Sequence, residues 1–567
     1  MALRYALPLV VLACSAAFAQ DPVGTCEPGT ATAVIETDRL RVPVATAGAL
    51  VPTVATAGAA YVVPKETGIA PLFVVQPWIS GTVGGEPRVS GTKFSGTVFW
   101  PGPLADAADP PADCSAFDRV WVVSRDDVLE YRRTGQASRD LADWPAALGA
   151  PVIDGDGDPS NYDLEGGDEP DLLGDVAAWW VLNDAGNEKD VGFEPNPPLG
   201  VEVRVHAFVF TAPIRSFLLD ASFYRLTVVN RRDGLIDSLR VSVFADPDLG
   251  EFNDDYVGTD TLRHLQYVYN SVDPDGGGFG YGDAPPALGL QVLRGLEGLP
   301  NGRDDDFDGQ TDEPGEIQRL TAAPHVLKSR DSSQPDALLS VQRGRISPTE
   351  PMYPYDVGLA APEVVEAFGL EPTVWAFPAD PAAGEYWTDV DARPDSSNQP
   401  NTGFDRRIAV TTGPGRLGPG EAATVDVAIP YARGRSNLDS VTQLRLVAQG
   451  LLNAFDDGFP PNPVRVREGD GPPLPEPPPD FAPAVTRVRP NPSSGKASFS
   501  VRLPESVPVR AEVYDLLGRR LVTIVDRVLP VGETGLVVPP DLLPGTYLIR
   551  IEAGRLPPAS LTFTVVP

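Results

Sequence analysis

Nine carboxylates and no basic residue lie between Pro151 and Asp175, a density of like charge that is costly in a folded chain unless cations neutralise it. The spacing says more than the count. Asp154, Asp156, Asp158, Ser160, Tyr162 and Glu165 fall at positions 1, 3, 5, 7, 9 and 12 of a twelve-residue stretch. Such spacing lets a short loop turn alternate oxygens onto one calcium ion and close the shell with a bidentate carboxylate. Pro159 stands sixth, where glycine supplies the sharp turn, so Gly155 and Gly157 must provide the bend. No helical pattern flanks the stretch. A calcium loop set inside a β domain is expected, with an unliganded acidic loop as the alternative.

The segment Asn301 to Glu313 repeats the theme. Asp304, Asp306 and Asp308 alternate, Gly309 gives the turn, Gln310 follows, and Asp312 falls at the ninth position; Gly315 is twelfth, so Glu313 or Glu316 must complete the shell. This spelling resembles the Asp-rich calcium repeats of extracellular proteins such as thrombospondin type-3 loops. A third patch, Asp246-Pro247-Asp248 followed by Asp254, Asp255 and Asp260, is explained equally well by a solvated turn. Extracellular calcium modules bind with dissociation constants of roughly 0.1 to 1 mM, so at millimolar calcium each site would add only about 0.5 to 1.5 kcal/mol. Structural tuning of acidic loops is expected, not a switch.

Other chemistry is poorly represented. The sequence holds no nucleophile elbow, no phosphate-binding glycine loop and no HExxH. His206, His264 and His325 are scattered, and with Cys26 and Cys114 they do not make zinc spacing. Carboxylates are numerous enough to keep a glycosidase open, since its two acids need no local spacing. Trp179 and Trp180, flanked by Asp175 and Asp184, are expected to be core tryptophans, and are otherwise where a sugar would stack. An enzyme is the less expected outcome.

The elements that must carry these loops read as strands. The chain has 567 residues, of which 55 are Gly and 62 Pro, a composition that favours short strands and turns over long helices. Val201, Val203, Val205, Ala207 and Val209 alternate with Glu202, Arg204, His206 and Phe208, and Phe223–Asn230 and Leu239–Phe244 keep the same period of two. Joined by Arg231-Arg232-Asp233-Gly234, they predict an antiparallel sandwich with one wet face. Alternation also predicts strands at Gly91–Trp100 and Phe117–Val123, a short helix at Ser124–Arg132, and a strand pair over Thr411–Ala432 turning at Pro419-Gly420. Ser436, with Asp439 three residues on, starts one long helix whose Val441, Leu444, Val447, Ala448, Leu451 and Phe455 share a face for packing on a sheet. The expected fold class is mainly β: several antiparallel, immunoglobulin-like β-sandwich domains with Asp-rich loops and few helices. The expected division is 20–198, an N-terminal β-rich domain with the first acidic loop; 199–459, a central sandwich region; 460–486, a Pro-rich linker; and 487–567, a C-terminal sandwich.

Charge and ends place the chain. The formal net charge is -33, which repels phosphate backbones and excludes nucleic acid as a partner class. Residues 487–567 carry ten Arg or Lys against seven Asp or Glu, so the acidity belongs to the body. Residues 1–19 read as a signal peptide: Arg4, an apolar run Leu7–Ala13, and Ala17-Phe18-Ala19 before the cut. Lipidation of Cys14 is the rival reading. No other apolar run approaches membrane length. Cys26 and Cys114 are then the even pair that an oxidising compartment would join in a disulfide.

The C-terminal eighty residues carry three ordered blocks. Arg489-Pro490-Asn491-Pro492-Ser493-Ser494-Gly495, Val513-Tyr514-Asp515-Leu516-Leu517-Gly518-Arg519 and Leu543-Pro544-Gly545-Thr546-Tyr547 resemble the type A C-terminal sorting domain of type IX secretion. The resemblance covers about a seventh of the chain. It implies an immunoglobulin-like sandwich recognised by an outer-membrane translocon through Pro490, Asn491, Pro492, Gly495, Tyr514, Asp515, Gly518, Arg519, Gly545 and Tyr547. It also implies removal by a sortase-like peptidase and delivery through the periplasm to the medium or the outer cell surface. One departure is that Leu561 to Pro567 lacks the basic residues often found at such an end. The body is similar to long secreted proteins that carry this tail, which names no substrate. The expectation is a secreted or surface-displayed, calcium-stabilised β protein with a structural or adhesive role; the alternative is a secreted carbohydrate-active enzyme or glycan-binding protein.

Overall fold

The computed structural model describes residues 26–459 apart from 95–97, 106–108, 112, 187–196, 212–215, 300–315, 327–333, 346–350, 353–371, 386–387 and 392–401; it also describes 484–485 and most of 497–566. The chain divides into two compact units, Met1–Arg465 and Val466–Pro567. Among the described residues no helix is long and apolar enough to cross a membrane.

The first unit is mainly β. A hairpin of β1 (Thr32–Glu36) and β2 (Arg41–Ala45) precedes two large sheets. The smaller sheet contains β3 (Leu72–Val83), β4 (Glu86–Ser90), β12 (Ile236–Pro247), β18 (His325–Val326) and β19 (Arg407–Leu417), in the order β18-β19-β12-β3-β4. The larger sheet contains β5 (Trp100–Pro101), β6 (Trp121–Ser124), β9 (Val176–Asn183), β10 (Val201–Val209) and β11 (Ala221–Asn230). It is completed by β13 (Asp255–Asp260), β14 (Leu265–Asn270), β15 (Ala287–Arg294) and β20 (Ala422–Ala432). Its order is β13-β14-β15-β20-β11-β10-β9-β5, with β6 also on β9. Two short ribbons, β7 (Val152–Ile153) with β8 (Glu169–Pro170) and β16 (Leu296–Glu297) with β17 (Ile317–Gln318), stand outside these sheets. All these strand pairings are antiparallel.

Three expectations need correction. The border at residue 198 is not a division of the fold, because β3 pairs with β12 and β9 pairs with β10 across it. Next, Arg231–Gly234 does not close a hairpin: β11 lies in one sheet and β12 in the other, and the turn crosses between them. Pro419-Gly420 does the same between β19 and β20. The two crossing turns are clasped by Asn230, whose amide donates to Gly234 O and Leu417 O at 2.9 Å each. Its backbone N–H also donates to Glu421 O, and its carbonyl accepts from Gly420 N.

Finally, the larger sheet has no wet face along β10. Val201, Val203, Val205, Ala207 and Val209 point into the core shared with the smaller sheet, while Phe208 on the other side packs in a second core with Trp121, Trp179 and Leu451. Glu202 is buried there with Arg204 and Arg231 as counter-charges at 2.8 and 2.9 Å. Five helices occur among the described residues: α1 (Val54–Ala57), α2 (Arg125–Thr134), α3 (Arg139–Ala142), α4 (Pro335–Gln342) and α5 (Asn437–Asp456). As the spacing predicts, α5 is capped by the Ser436 hydroxyl on Asp439 N and lays Val441, Leu444 and Ala448 on Tyr256, Leu265 and Tyr267. Gly450 is explained by Phe217, whose ring would stand 3.1 Å from a β-carbon there. On the far side, α4 covers Trp78, Val74 and Phe244 of the smaller sheet. The result is a helix, sheet, sheet, helix layering.

His206 is buried, 3 % exposed. It lies between the rings of Trp144 and Phe208, with Nε2 buried and unpartnered. Burial first, then the Arg225 charge, lowers its pKa to about 3. The unfolded chain, titrating near 6.5, binds this proton more readily than the fold does, so stability is complete above pH 6.5 and falls as the pH drops toward 3. Between pH 7 and pH 5 the expected loss from this residue is about 2 kcal/mol. Urea unfolding of wild type and His206→Phe at both pH values checks it: the variant should lack that share of the acid sensitivity.

The second unit is a sandwich of two sheets, β21 (Ala484–Val485), β22 (Ala497–Leu503) and β25 (Gly532–Val538) against β24 (Arg520–Leu529), β23 (Val507–Asp515), β26 (Gly545–Ala553) and β27 (Leu556–Val565). The three-plus-four arrangement is that of an immunoglobulin-like sandwich, around Phe499, Val501, Val513, Ile549, Ile551 and Phe563. Its first strand lies inside the expected linker, since Ala484 and Val485 already pair with Arg502 and Val501.

Candidate acidic-loop site

The first acidic loop joins β7 to β8, so its ends are held side by side by the pairs Val152↔Pro170 and Ile153↔Glu169. Two helices fix its base. Ser124 and Asp127 form a reciprocal cap that starts α2, and Arg132 on α2 grips Glu169 through two hydrogen bonds of 2.5 and 2.6 Å. Tyr162 donates its hydroxyl to Leu141 O of α3 at 2.8 Å. Trp144 Nε1 donates to Pro151 O just ahead of the loop.

Within this frame Asp154, Asp156 and Asp168 each bring one carboxylate oxygen within 4.8 Å of the other two. Among the described residues it is the only such trio of His, Cys, Asp or Glu side chains. Calcium–oxygen distances of roughly 2.3 to 2.6 Å put ligands on opposite sides of one ion about 4.6 to 5.2 Å apart, so the spacing suits a single calcium. Asp168 is buried and fixed by the backbone: its oxygens accept from Gly155 N and Asp163 N at 2.8 Å each. These two amides hold its carboxyl below the usual range, keeping it ionised. Asp154 and Asp156 are exposed, and Asn161 Nδ2 steadies Asp156 at 3.1 Å. Trp144, Tyr162 and Asn161 line an adjoining cleft of about 640 Å³.

The six residues chosen by spacing divide. Asp154 and Asp156 enter the trio. Asp158 instead accepts from the backbone and hydroxyl of Ser160, which commits both side chains to each other. Tyr162 turns its hydroxyl to α3, and Glu165 stays exposed outside the trio. Asp168 was missed because the twelve-residue template stops at Glu165, whereas the turn at Gly166-Gly167 carries the chain three residues further before a carboxylate returns to the ring. Its membership of the same base-free acidic run was the available clue. Asp304, Asp306, Asp308, Gln310, Asp312 and Glu313 lie outside the described residues.

Of the two readings of Trp179 and Trp180, the core one holds. Trp179 and Trp180 are 1 % and 0 % exposed because β9 is covered on both faces, Trp179 by the helix-side core and Trp180 by the core between the sheets. Asp175 and Asp184 flank opposite ends of that strand, about 30 Å apart at strand rise, far beyond the separation of a glycosidase pair. Asp175 pairs with Arg125.

Cys26 and Cys114 form the expected disulfide, with Cα atoms 4.8 Å apart. In the second unit, two of the three C-terminal blocks meet across one pair of strands: Tyr514 faces Leu548 and Asp515 faces Tyr547 in the β23–β26 register. Tyr514 donates to Glu512 at 2.8 Å, and Tyr547 is buried against Phe563. Gly545 starts β26. Pro490, Asn491, Pro492, Gly495, Gly518 and Arg519 lie outside the described residues, as does the leader, 1–19.

No family model and no curated protein matches the chain. Among solved structures, a polysaccharide lyase is similar at 9 % identity and a TM-score of 0.18, covering 66 % of this chain and 36 % of the lyase. At that score the likeness carries no argument about activity, and the chain spans only about a third of the lyase.

Proposed function

We propose that this chain is an exported structural or adhesive β protein whose acidic loop is ordered by calcium. The observation that carries the calcium part is the trio Asp154, Asp156 and Asp168, three oxygens at single-ion spacing on a loop pinned to two helices. No basic side chain neutralises the trio among the described residues. The Cys26–Cys114 disulfide supports an oxidising destination. The three C-terminal blocks support type IX export, with the translocon and a sortase-like peptidase as partners of the second unit.

Calcium at about 1 mM should stabilise the chelator-treated protein by roughly 1 kcal/mol through this site. Asp156→Asn with Asp168→Asn should abolish that share, read by urea unfolding with and without calcium. Equal midpoints in wild type with calcium and with chelator would defeat the calcium reading. Export is tested separately: cells making a chain that ends before residue 484 should retain the protein, and its appearance in the medium would remove the sorting role.

A further inference from the structure

Three carboxyl groups without a counter-charge meet at the end of the β13–β14 pair. Asp255, the first residue of β13, is 0 % exposed, and Asp275, from the glycine-rich segment after β14, is 3 % exposed; Asp254, just ahead of β13, is half-buried. Oδ1 of Asp254 and Oδ1 of Asp255 are buried without a hydrogen-bond partner. So is the hydroxyl of Tyr281, a buried ring on which Asp275 and Asp255 both act electrostatically. Native folds rarely leave buried acceptors unmet, and a buried carboxylate with neither donor nor cation costs far more than the neutral acid. The place suits protons better than charge.

The same side chains fasten two loops. Asp255 Oδ2 accepts from Leu249 N at 3.3 Å, and Asp275 accepts from Glu251 N at 3.3 Å and Tyr281 N at 2.6 Å. Asn270, the last residue of β14, turns its amide N–H groups toward Asp254 and Asp275 and donates to Leu249 O at 3.1 Å. Gly250, at φ +80°, passes so close that a β-carbon there would overlap Asp275 Oδ2. The other charged groups facing the cluster do not neutralise it. Asp248 and Glu251 add negative charge, Asp273 turns to Ala284 N, and Tyr256, Tyr281 and Tyr431 are phenols that burial keeps neutral. Arg433 stands 5.8 Å over the Tyr281 ring and gives its N–H groups to the carbonyls of Tyr281, Asp283 and Ala284. Arg406 donates to the Asp255 carbonyl, and its charge is paired with Asp389. Among the described residues no arginine or lysine pairs with Asp254, Asp255 or Asp275. Asp260, at the other end of β13, shows the contrast: Arg263 and Arg445 both pair with it and hold its carboxyl below the usual range. Burial, then Asp275 and Glu251, pushes Asp254 up to about 6; burial, then Asp254, pushes Asp255 well up, and burial raises Asp275.

We propose that Asp254, Asp255 and Asp275 form a proton-held clasp, which fastens the 248–254 turn to the 271–282 segment while the carboxyls share protons and loosens as rising pH charges them. The sign follows from the two states. In an opened segment each aspartate titrates near its ordinary value of about 3.9, so the closed form binds protons more readily and loses stability as the pH climbs above about 4. Asp254 completes its share near pH 6, and Asp255 extends the loss to higher pH. The clasp shares no residue with the β7–β8 loop and stands whether or not that loop takes calcium.

Hydrogen exchange on the full wild-type chain, corrected for the pH dependence of intrinsic exchange, reads this opening directly. The amides of Leu249, Glu251, Ser271 and Tyr281 are held at the clasp, Ser271 N by the Asp254 carbonyl and the others by its carboxyls. Their protection should fall about tenfold between pH 5 and pH 8 through Asp254 alone, and further through Asp255, while amides of β10 and β11 show no such fall. Asp254→Asn with Asp255→Asn should flatten the profile at these four amides. Wild-type protection there that stays level from pH 5 to pH 8 would overturn the inference even if the variant failed to fold. A folded variant whose protection falls as steeply as that of wild type would overturn it equally.

Discussion

Replacing Asp184 by alanine should cost about 4 kcal/mol of folding stability, because one side chain holds four donors. Asp184 follows β9 and is 0 % exposed. Its oxygens accept from Ser90 Oγ at 2.7 Å, Leu199 N at 2.6 Å, Val201 N at 2.9 Å and Gly200 N at 3.1 Å. Ser90 ends β4 in the smaller sheet, whereas residues 199–201 lead into β10 in the larger one. The carboxylate is thus a rivet between sheets. Burial pushes its pKa up, and the same four donors pull it back. Truncation strands four buried donors at about 1 kcal/mol or more each. Asp184→Asn keeps an oxygen for Gly200 and Val201 but turns an NH2 toward Leu199 N, so it should lose about half as much. Urea midpoints of both variants decide the matter: a loss under about 1 kcal/mol in Asp184→Ala would mean that water replaces the carboxylate.

Removing the Cys26–Cys114 disulfide should have an effect of the same size. The bond closes a separation of 88 residues, and in the chain-entropy account a loop of that length contributes about 4 kcal/mol by restricting the unfolded chain. Both cysteines are buried beside Trp100, so the reduced thiols keep their packing and the loss falls on the unfolded state. For a unit of this size the expected fall in Tm is about 4 °C. Unfolding of Cys26→Ser with Cys114→Ser against wild type, each without reductant, measures it. A difference below about 1 kcal/mol would show that the unfolded chain already keeps these segments together.

Strand identity was legible where apolar and polar residues alternate: β10 spans the predicted Val201–Val209, and β11 and β12 enclose the predicted runs. The caps of α2 and α5 were equally readable, because Ser124 with Asp127 and Ser436 with Asp439 satisfy amides within one turn. Partnership was not. Alternation fixes which side chains share a face, but a four-residue turn looks the same whether it returns within a sheet or crosses to another, as at Arg231–Gly234. Nor can period two reveal a covered outer face: Phe208 and His206 read as the wet side until α5 and Trp144 are in place. At the acidic loop, local spacing found Asp154 and Asp156 but could not find Asp168, whose place depends on β7 and β8 closing the loop.

The positions of β19 and β20 bear on how the polypeptide is made. β20 sits between β11 and β15, and β19 between β12 and β18, so neither sheet is continuous until residues beyond 407 have emerged from the ribosome. Until then a nascent chain of some four hundred residues presents open strand edges, the state most prone to aggregate. Such far-apart pairings also make folding slow. A chaperone that binds extended polypeptide would therefore act on the growing chain long before either core can close.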